Sequence, residues 1–193
     1  MYAIVKDGAI TATGNIKQLF PNTSFAGGVA DAEFRTAEGV MDVVQAEQKD
    51  RKYYFVTQGD IALVDGVPTQ QFTNTAKRLE DEDAKDADGN QLYVQVWDAD
   101  TERMVDTSEK KINQGLKTPI TAEVKDTANK LLASTDWMVI RKYERDVAIP
   151  SATATYRAAV VTECARLETA IGNASDVDAL ATVMTGQNWP TEG

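Results

Sequence analysis

The stretch Leu131–Arg157, which reads LLASTDWMVIRKYERDVAIPSATATYR, decides the C-terminal fold of the chain. An apolar helical pattern ends at Leu132, and the polar run 134–136 supplies Ser, Thr and Asp side chains that can cap a new helix. Pro150 stops this second helix because the residue before a proline disfavours the helical backbone conformation. A third helix can begin at Ser151. The stretch therefore predicts three successive helices joined by short turns.

The middle helix carries an aromatic residue with a cation one turn away. Trp137, Ile140 and Glu144 fall on one side of this helix. Arg141 follows Trp137 by four residues, so its guanidinium group can lie against the indole ring. This spacing is typical of a packed corner between helices, and we expect Trp137 and Ile140 to be structural residues.

The last long helix shows the clearest periodicity in the chain. Its apolar residues recur at intervals of four, four, three and four positions, and they are Tyr156, Val160, Cys164, Leu167 and Ile171. Residues at this spacing share one helical face, so we expect all five to be structural residues of a core. Trp189 and Pro190 lie beyond the last predicted helix. Residues 119–193 are thus predicted to form a helical unit.

The composition predicts an ordinary folded protein with an acidic surface. The chain has 193 residues, is 42% hydrophobic, and carries 30 acidic against 20 basic residues, for a net charge of −10. A negative protein repels nucleic acid and anionic lipid, so we expect neither as a partner. Without a membrane-spanning apolar run or the pattern of a signal peptide, we expect synthesis in the cytoplasm.

The residue types available restrict the chemistry. The chain contains no histidine and a single cysteine, Cys164. These counts exclude Ser-His-Asp and Cys-His catalysis and an internal disulfide, and they remove the commonest metal ligand. Cys164 could be a lone nucleophile, but its place on an apolar helical face favours a structural thiol. We therefore expect a non-enzymatic protein without a cofactor or metal.

Residues 1–80 alternate short β-prone runs with turn signals. The pair Asp7-Gly8 predicts a tight hairpin near the N-terminus, and Asp65-Gly66 predicts another between later strands. Between them, Asp31 can cap a short helix that Gly39 ends. We predict a mostly antiparallel β unit with a short helix over 1–80, and therefore an α+β chain.

The segment Glu80–Asn90, EDEDAKDADGN, is too charged to be buried. Its residues 86–89 are similar to the middle of a calcium-binding loop, but the first ligand position would be Ala84 and the twelfth would be Gln95. The motif fails at both ends. We assign residues 81–118 to an acidic hairpin and connector.

Within that connector, residues 91–97 alternate in polarity, which predicts a strand that buries its even-numbered residues from Leu92 to Val96. The turn that follows contains Asp98 and Asp100, two carboxylates close in sequence. A hydrolase acting on a host-surface glycan needs such a pair in an aromatic-lined groove. This alternative function depends on a groove that the sequence does not predict.

An ordered set of residues in the last third carries a family resemblance: Leu131-Leu132, Thr135-Asp136-Trp137, Arg141, Glu144, Ile149-Pro150, Tyr156-Arg157 and Trp189-Pro190. This set resembles the C-terminal segment of tailed-bacteriophage tail fibre assembly and tail-associated proteins. The stretch Leu19–Phe25, LFPNTSF, is also similar to small tail-region proteins of phages. The resemblance implies assembly or attachment, and it implies no catalytic residue.

We therefore expect a virion protein of the tail region that binds other phage tail or fibre proteins, with self-association left open. The alternative is a transient tail fibre assembly chaperone that is absent from the mature virion. Aromatic and arginine side chains most often carry interface energy. The expected partner-binding residues are Arg141, Tyr143, Arg157, Trp189 and Pro190.

Overall fold

The computed structural model describes residues 1–192, apart from the side chain of Ala26. The chain has an α+β fold in which mostly antiparallel strands come first and helices follow. It divides into two compact units, Met1–Ala76 and a second unit that begins at Lys77. The segment 81–118, which we assigned to a connector, lies in the second unit with the helices.

The first unit contains six strands, two short α-helices and one 3-10 turn. They are β1 Tyr2–Lys6, β2 Ala9–Gly14, α1 Ile16–Leu19, the 3-10 turn Ala26–Gly28, α2 Ala32–Glu38, β3 Val40–Asp42, β4 Val44–Gln45, β5 Tyr54–Val64 and β6 Val67–Ala76. The strand orders are β2-β1-β3 and β4-β6-β5. All these pairs are antiparallel except β4 with β6, which is parallel.

Both predicted hairpin turns are confirmed. Asp7-Gly8 connects β1 to β2, and Asp65-Gly66 connects β5 to β6, with positive φ at all four residues. Two successive positive φ angles are what a two-residue turn needs to match the twist of the strands. The helix predicted after Asp31 is also confirmed, since the Asp31 carboxylate accepts the Phe34 N–H and Gly39 ends α2 at a φ of 67°.

Apolar residues of the loop between α1 and α2 contribute to the core of the first unit. Ile16, Ala30 and Val40 are buried, and aromatic rings pack against them. Phe20 and Phe25 each meet Phe34 edge to face, with ring centroids 5.0 Å apart. This geometry is favourable for aromatic pairs, so the loop is held by its own side chains.

Up to residue 192, the second unit contains four strands and four helices. They are β7 Glu82–Asp83, β8 Tyr93–Asp98, β9 Arg103–Lys110, β10 Ile112–Asn113, α3 Lys117–Ala133, α4 Asp136–Arg145, α5 Ser151–Asn173 and α6 Val177–Thr185. The strands form two antiparallel pairs, β8 with β9 and β10 with β7. Strands β9 and β10 lie within the segment 81–118 that we assigned to an acidic hairpin and connector.

The helical core contains the stripe that the sequence predicts. Tyr156, Val160, Leu167 and Ile171 of α5 are buried, as are residues of α3 and α6 that include Ile120, Val124, Ala128, Val177 and Leu180. Cys164 is half-buried beside the Ala128–Tyr156–Val160 cluster. The four residues of α5 are therefore confirmed as core, and Cys164 lies at its margin.

A carboxylate from the acidic segment positions the start of α3. Asp81 accepts the Gly115 N–H at 2.7 Å and the Thr118 hydroxyl at 2.8 Å. Lys117 donates to the Gly172 carbonyl at the end of α5, at 2.8 Å. The acidic segment is thus tied to the first turn of the helical unit, which explains why the two belong together.

Candidate partner-binding surface

Helix α4 presents apolar and aromatic side chains to solvent. Tyr143 is 92% exposed, Ile140 56% and Trp137 52%. Val139, also on α4, is exposed as well. Large apolar side chains grouped on one short helix are typical of an interaction surface. We call Trp137, Val139, Ile140 and Tyr143 the α4 surface.

The prediction that Trp137 and Ile140 pack in a helical corner is therefore wrong. The residue buried at that corner is Thr135, whose hydroxyl donates to the Leu132 carbonyl at 3.0 Å. Helical spacing identifies which residues share a face, but it does not identify which face meets the core. The Thr135 hydroxyl, which bonds the last turn of α3, occupies the buried position that we expected for the Trp137 indole.

The predicted contact between Arg141 and Trp137 is confirmed. The guanidinium carbon lies 4.7 Å from the centroid of the indole ring. Arg141 is half-buried, and within the described residues its buried Nε–H has no hydrogen-bond partner. A buried donor without an acceptor costs about 1–3 kcal/mol. The α4 surface thus borders an arginine with unused donor capacity.

Arg157 is a structural residue, contrary to the expectation that it binds a partner. Its side chain is largely buried and donates to the Leu132 carbonyl at 2.9 Å and to the Thr135 hydroxyl at 2.6 Å. It also forms an ion pair with Asp136 at 2.9 Å. These contacts satisfy backbone and side-chain acceptors where α3 ends and α4 begins, so Arg157 holds the corner together.

Trp189 and Pro190 also differ from the expectation of a free surface. Trp189 is half-buried against the Ala128–Tyr156–Val160 cluster, and its indole N–H donates to the Gln187 amide oxygen at 2.7 Å. Pro190 is half-buried, too. The residues beyond the last helix therefore cover the core, because apolar surface between α3 and α5 is available to them.

Glu163 anchors that C-terminal segment, although its position on α5 is not among the residues predicted from the sequence. Its carboxylate is buried, accepts two bonds from the Arg166 guanidinium at 2.7 Å, and accepts the Asn188 N–H at 2.7 Å. The bonds from Arg166, with the Asn188 N–H, lower the pKa of Glu163 below its ordinary value. An acid adjoining an apolar stripe, with an arginine three residues later, is the signal that could have located it.

Cys164 has the properties of a structural thiol. Burial raises its pKa above the ordinary value, and the neighbouring Glu168 carboxylate raises it further. The protonated thiol donates to Glu168 at 3.3 Å. Because the thiolate is the nucleophilic form, this environment does not favour a reactive cysteine.

The acidic residues considered as catalytic or metal-binding groups serve turns. Asp98 accepts the Thr101 hydroxyl and the Asp100 N–H, and these bonds lower its pKa. Asp86 accepts the Asn90 side chain and backbone, which lowers its pKa in the same way. Across residues 1–192, no group of three or more acidic or cysteine side chains could hold a metal.

An open groove lies in the first unit, along the loop that contains Leu19–Phe25. It has a volume of about 1010 Å³, and residues from Asn15 to Gly28 line it. Its walls contain one charged side chain, Lys17, and no carboxylate. The groove therefore lacks the pair of acids that glycoside hydrolysis requires.

The hairpin of β8 and β9 exposes a second set of apolar side chains. Val96, Trp97 and Met104 are exposed, and Leu92 is exposed at its base. The prediction that residues Leu92 to Val96 form a buried face is wrong for the two end residues. A two-stranded hairpin has two faces, and alternation alone does not supply a layer to cover either one.

Among the described residues, no helix is both long enough and apolar enough to cross a membrane. Comparisons of the chain with protein-family models, with curated proteins and with solved structures found no match.

Proposed function

We propose that this chain is a non-enzymatic protein of a bacteriophage tail, and that it binds another tail or fibre protein through the α4 surface. The observation that carries this proposal is the exposure of Trp137, Ile140 and Tyr143 on one ten-residue helix. The phage assignment rests on the resemblance of residues 131–190 to tail fibre assembly and tail-associated proteins.

The chemistry of the α4 surface favours a protein partner. Tryptophan, tyrosine and arginine are the side chains that most often dominate interface energies, and α4 carries one of each, with Arg141 against Trp137 and Tyr143 on another side of the helix. Tyr143 combines a large apolar area with a hydroxyl that can bond across an interface. A small-molecule site would instead need a concave pocket around these residues.

Arg141 adds a requirement for the partner. Its Nε–H lacks an acceptor within the described residues, and its guanidinium lies over the Trp137 ring. A partner carboxylate or carbonyl oxygen next to the indole would accept that donor once the side chain rotates. We expect the partner to offer an apolar pocket for Tyr143 and, beside Trp137, an acceptor oxygen for Arg141.

Site-specific photo-crosslinking tests this proposal. A photoreactive residue in place of Tyr143, introduced during infection by the phage that encodes the chain, should capture a tail or fibre protein identifiable by mass spectrometry. The matched control places the same residue at Val161, an apolar position of α5 that is 57% exposed. Equal capture from both positions, or capture of host proteins alone, would contradict the proposed surface.

The content of purified particles separates the two tail roles. A connector or fibre-associated component should be present in a fixed copy number, whereas an assembly chaperone should be absent from mature particles. A third measurement addresses the enzymatic alternative: release of oligosaccharides from host-surface glycans by the purified chain would overturn the non-enzymatic assignment.

A further inference from the structure

Strand β8 has one open edge. Within the described residues β9 is its only strand partner, so the other edge of β8 carries backbone groups that pair with no strand. At the base of the hairpin, the Ala84 carbonyl accepts the Leu92 N–H at 2.8 Å and closes the edge there. The open part is therefore Tyr93–Trp97.

The residues of this open edge read nearly the same in both directions. The segment is Tyr-Val-Gln-Val-Trp, centred on Gln95. In an antiparallel pair of two such strands, Gln95 lies opposite Gln95, Val94 opposite Val96, and Tyr93 opposite Trp97. Pairs of aromatic residues are a favourable cross-strand combination, and valine is among the residues enriched in strands.

The backbone of β8 is regular enough to accept a further strand. The irregularity of the hairpin lies between Tyr93 and Gln95, where residues 106–110 of β9 lie opposite residues 93–95 of β8. The extra residues thus belong to β9. No residue of β8 has a positive φ. Trp97 is 62% exposed, and Val96 and Tyr93 are exposed too, so pairing would remove apolar surface from water.

Charge selects β8 over β9 as the edge for a second copy. Tyr93–Trp97 contains no charged residue, whereas β9 contains Arg103, Asp106, Glu109 and Lys110. Antiparallel self-pairing of β9 about Asp106 would oppose two aspartates, and pairing about the next residue, Thr107, would oppose Arg103 to Lys111. Like charges in directly opposed positions are destabilising.

The ends of the paired strands bring lysines close to an acidic turn, with Asp86 and Asp88 also in the turn beside Lys85. The antiparallel register carries the acidic turn after Asp98 towards Leu92 and Gln91 of the other copy. The segments bonded to those two residues bring Lys111 and Lys85, both exposed. At about 0.15 M ionic strength, the net charge of each copy is screened beyond roughly 8 Å, while these close contacts persist.

We propose that β8 pairs with β8 of a second copy about a two-fold axis through Gln95. The product is a four-stranded antiparallel sheet in the order β9-β8-β8-β9. An isolated two-stranded hairpin is marginal in water, and four strands are not. Because five residues from each copy bury less area than a standard protein interface, the expected dissociation constant is micromolar rather than nanomolar.

Sedimentation of the full chain at micromolar to near-millimolar concentration tests the proposal, with Gln95→Lys as the main variant. Gln95 donates to Asp106 at 2.9 Å, so a lysine retains an attraction to Asp106 within the hairpin. In the dimer, the substitution places two lysines opposite each other across the two-fold axis. The dissociation constant of the dimer should therefore rise by about tenfold or more. Ser108→Lys adds the same charge to β9 and should leave the dimer unchanged. A wild-type chain that stays monomeric overturns the proposal.

Chemical crosslinking tests the same pairing of β8 with β8 by a second route, in case Gln95→Lys unfolds the hairpin. In a Cys164→Ser background, Gln95→Cys places two thiols across the axis within reach of a short bismaleimide. It should give a covalent dimer, whereas Ser108→Cys should give little. Equal crosslinking of both variants contradicts the register. Tyr143→Ser should not change either result, so this test is independent of the α4 surface.

Discussion

Glu163 is a charged residue on the buried side of α5, and its partners keep it ionised. The Arg166 guanidinium and the Asn188 N–H both bond its carboxylate. Glu163→Gln should lower the free energy of unfolding by about 1–3 kcal/mol, since Arg166 is half-exposed and can be rehydrated. Thermal unfolding near neutral pH measures this difference. Gln48→Glu, on an exposed loop, is a control that should change stability little.

The stabilisation by Glu163 depends on pH in a definite direction. Its pKa in the folded chain lies below the ordinary value of 4.5, because its bonds from Arg166 favour the charged form. A depressed folded pKa contributes stability above the unfolded pKa, and this stability is lost as the pH falls through the folded value. The difference between wild type and Glu163→Gln should therefore shrink below pH 4.5. A difference that grows on acidification would contradict this assignment.

Truncation of two tryptophans should destabilise the chain by different amounts. Trp189→Ala removes a ring that covers the Ala128–Tyr156–Val160 cluster, and it should cost about 2 kcal/mol, less than the 3–5 kcal/mol of a fully buried ring. Trp137→Ala removes a half-exposed ring and should cost below about 1 kcal/mol. Chemical denaturation of both variants measures the costs. A larger cost for Trp137→Ala than for Trp189→Ala would show that Trp137, not Trp189, packs against the core.

At the scale of single elements, helix ends and turns were predictable and exposure was not. Asp31, Gly39 and Asp7-Gly8 act through local backbone geometry that each residue type dictates. The exposure of Trp137 depends on which side of α4 meets α3, and that is a tertiary fact. Arg157 was missed as a structural residue because its acceptors lie more than twenty positions earlier in the chain.

Gly39 tests how closely the end of α2 packs against β1. Its φ of 67° disfavours other residues, and a Cβ there would overlap the Val5 carbonyl oxygen. Gly39→Ala should destabilise the first unit by about 3 kcal/mol, more than the 1–2 kcal/mol of the conformational term alone. Gly66→Ala is the matched control, because Gly66 also has a positive φ but no atom within 4 Å of an added Cβ. Equal costs in denaturation experiments would show that the overlap is relieved without penalty.

For the whole molecule, the prediction of an α+β chain is confirmed, while the contact boundary falls at Ala76 rather than residue 80. Residues 81–118 looked like a connector because of their charge. Charge identifies exposure, but it does not exclude hydrogen bonds such as those from Gly115 and Thr118 to Asp81. The sequence alone could not pair groups that are 34 and 37 positions apart.

This boundary makes a prediction about fragments. Residues 77–193 should unfold cooperatively when expressed alone, because they contain Asp81 together with the start of α3 that it bonds. Residues 119–193 lack those bonds and should be less stable. Circular dichroism melts of the two fragments compare them directly. A shorter fragment as stable as the longer one would support the prediction that residues 81–118 are a connector.

The α4 surface is tested most directly by complementation of tail assembly. A phage that lacks the gene can be supplied with the chain carrying Ile140→Ser and Tyr143→Ser. Its yield of infectious particles should fall at least about tenfold below the yield with the wild-type chain. Val161→Ser removes a similarly exposed apolar side chain from α5, and it should complement as well as wild type. Both variants must be folded, as judged by their melting curves. Full complementation by the α4 variant would contradict the proposal that this chain works by binding a tail protein through α4.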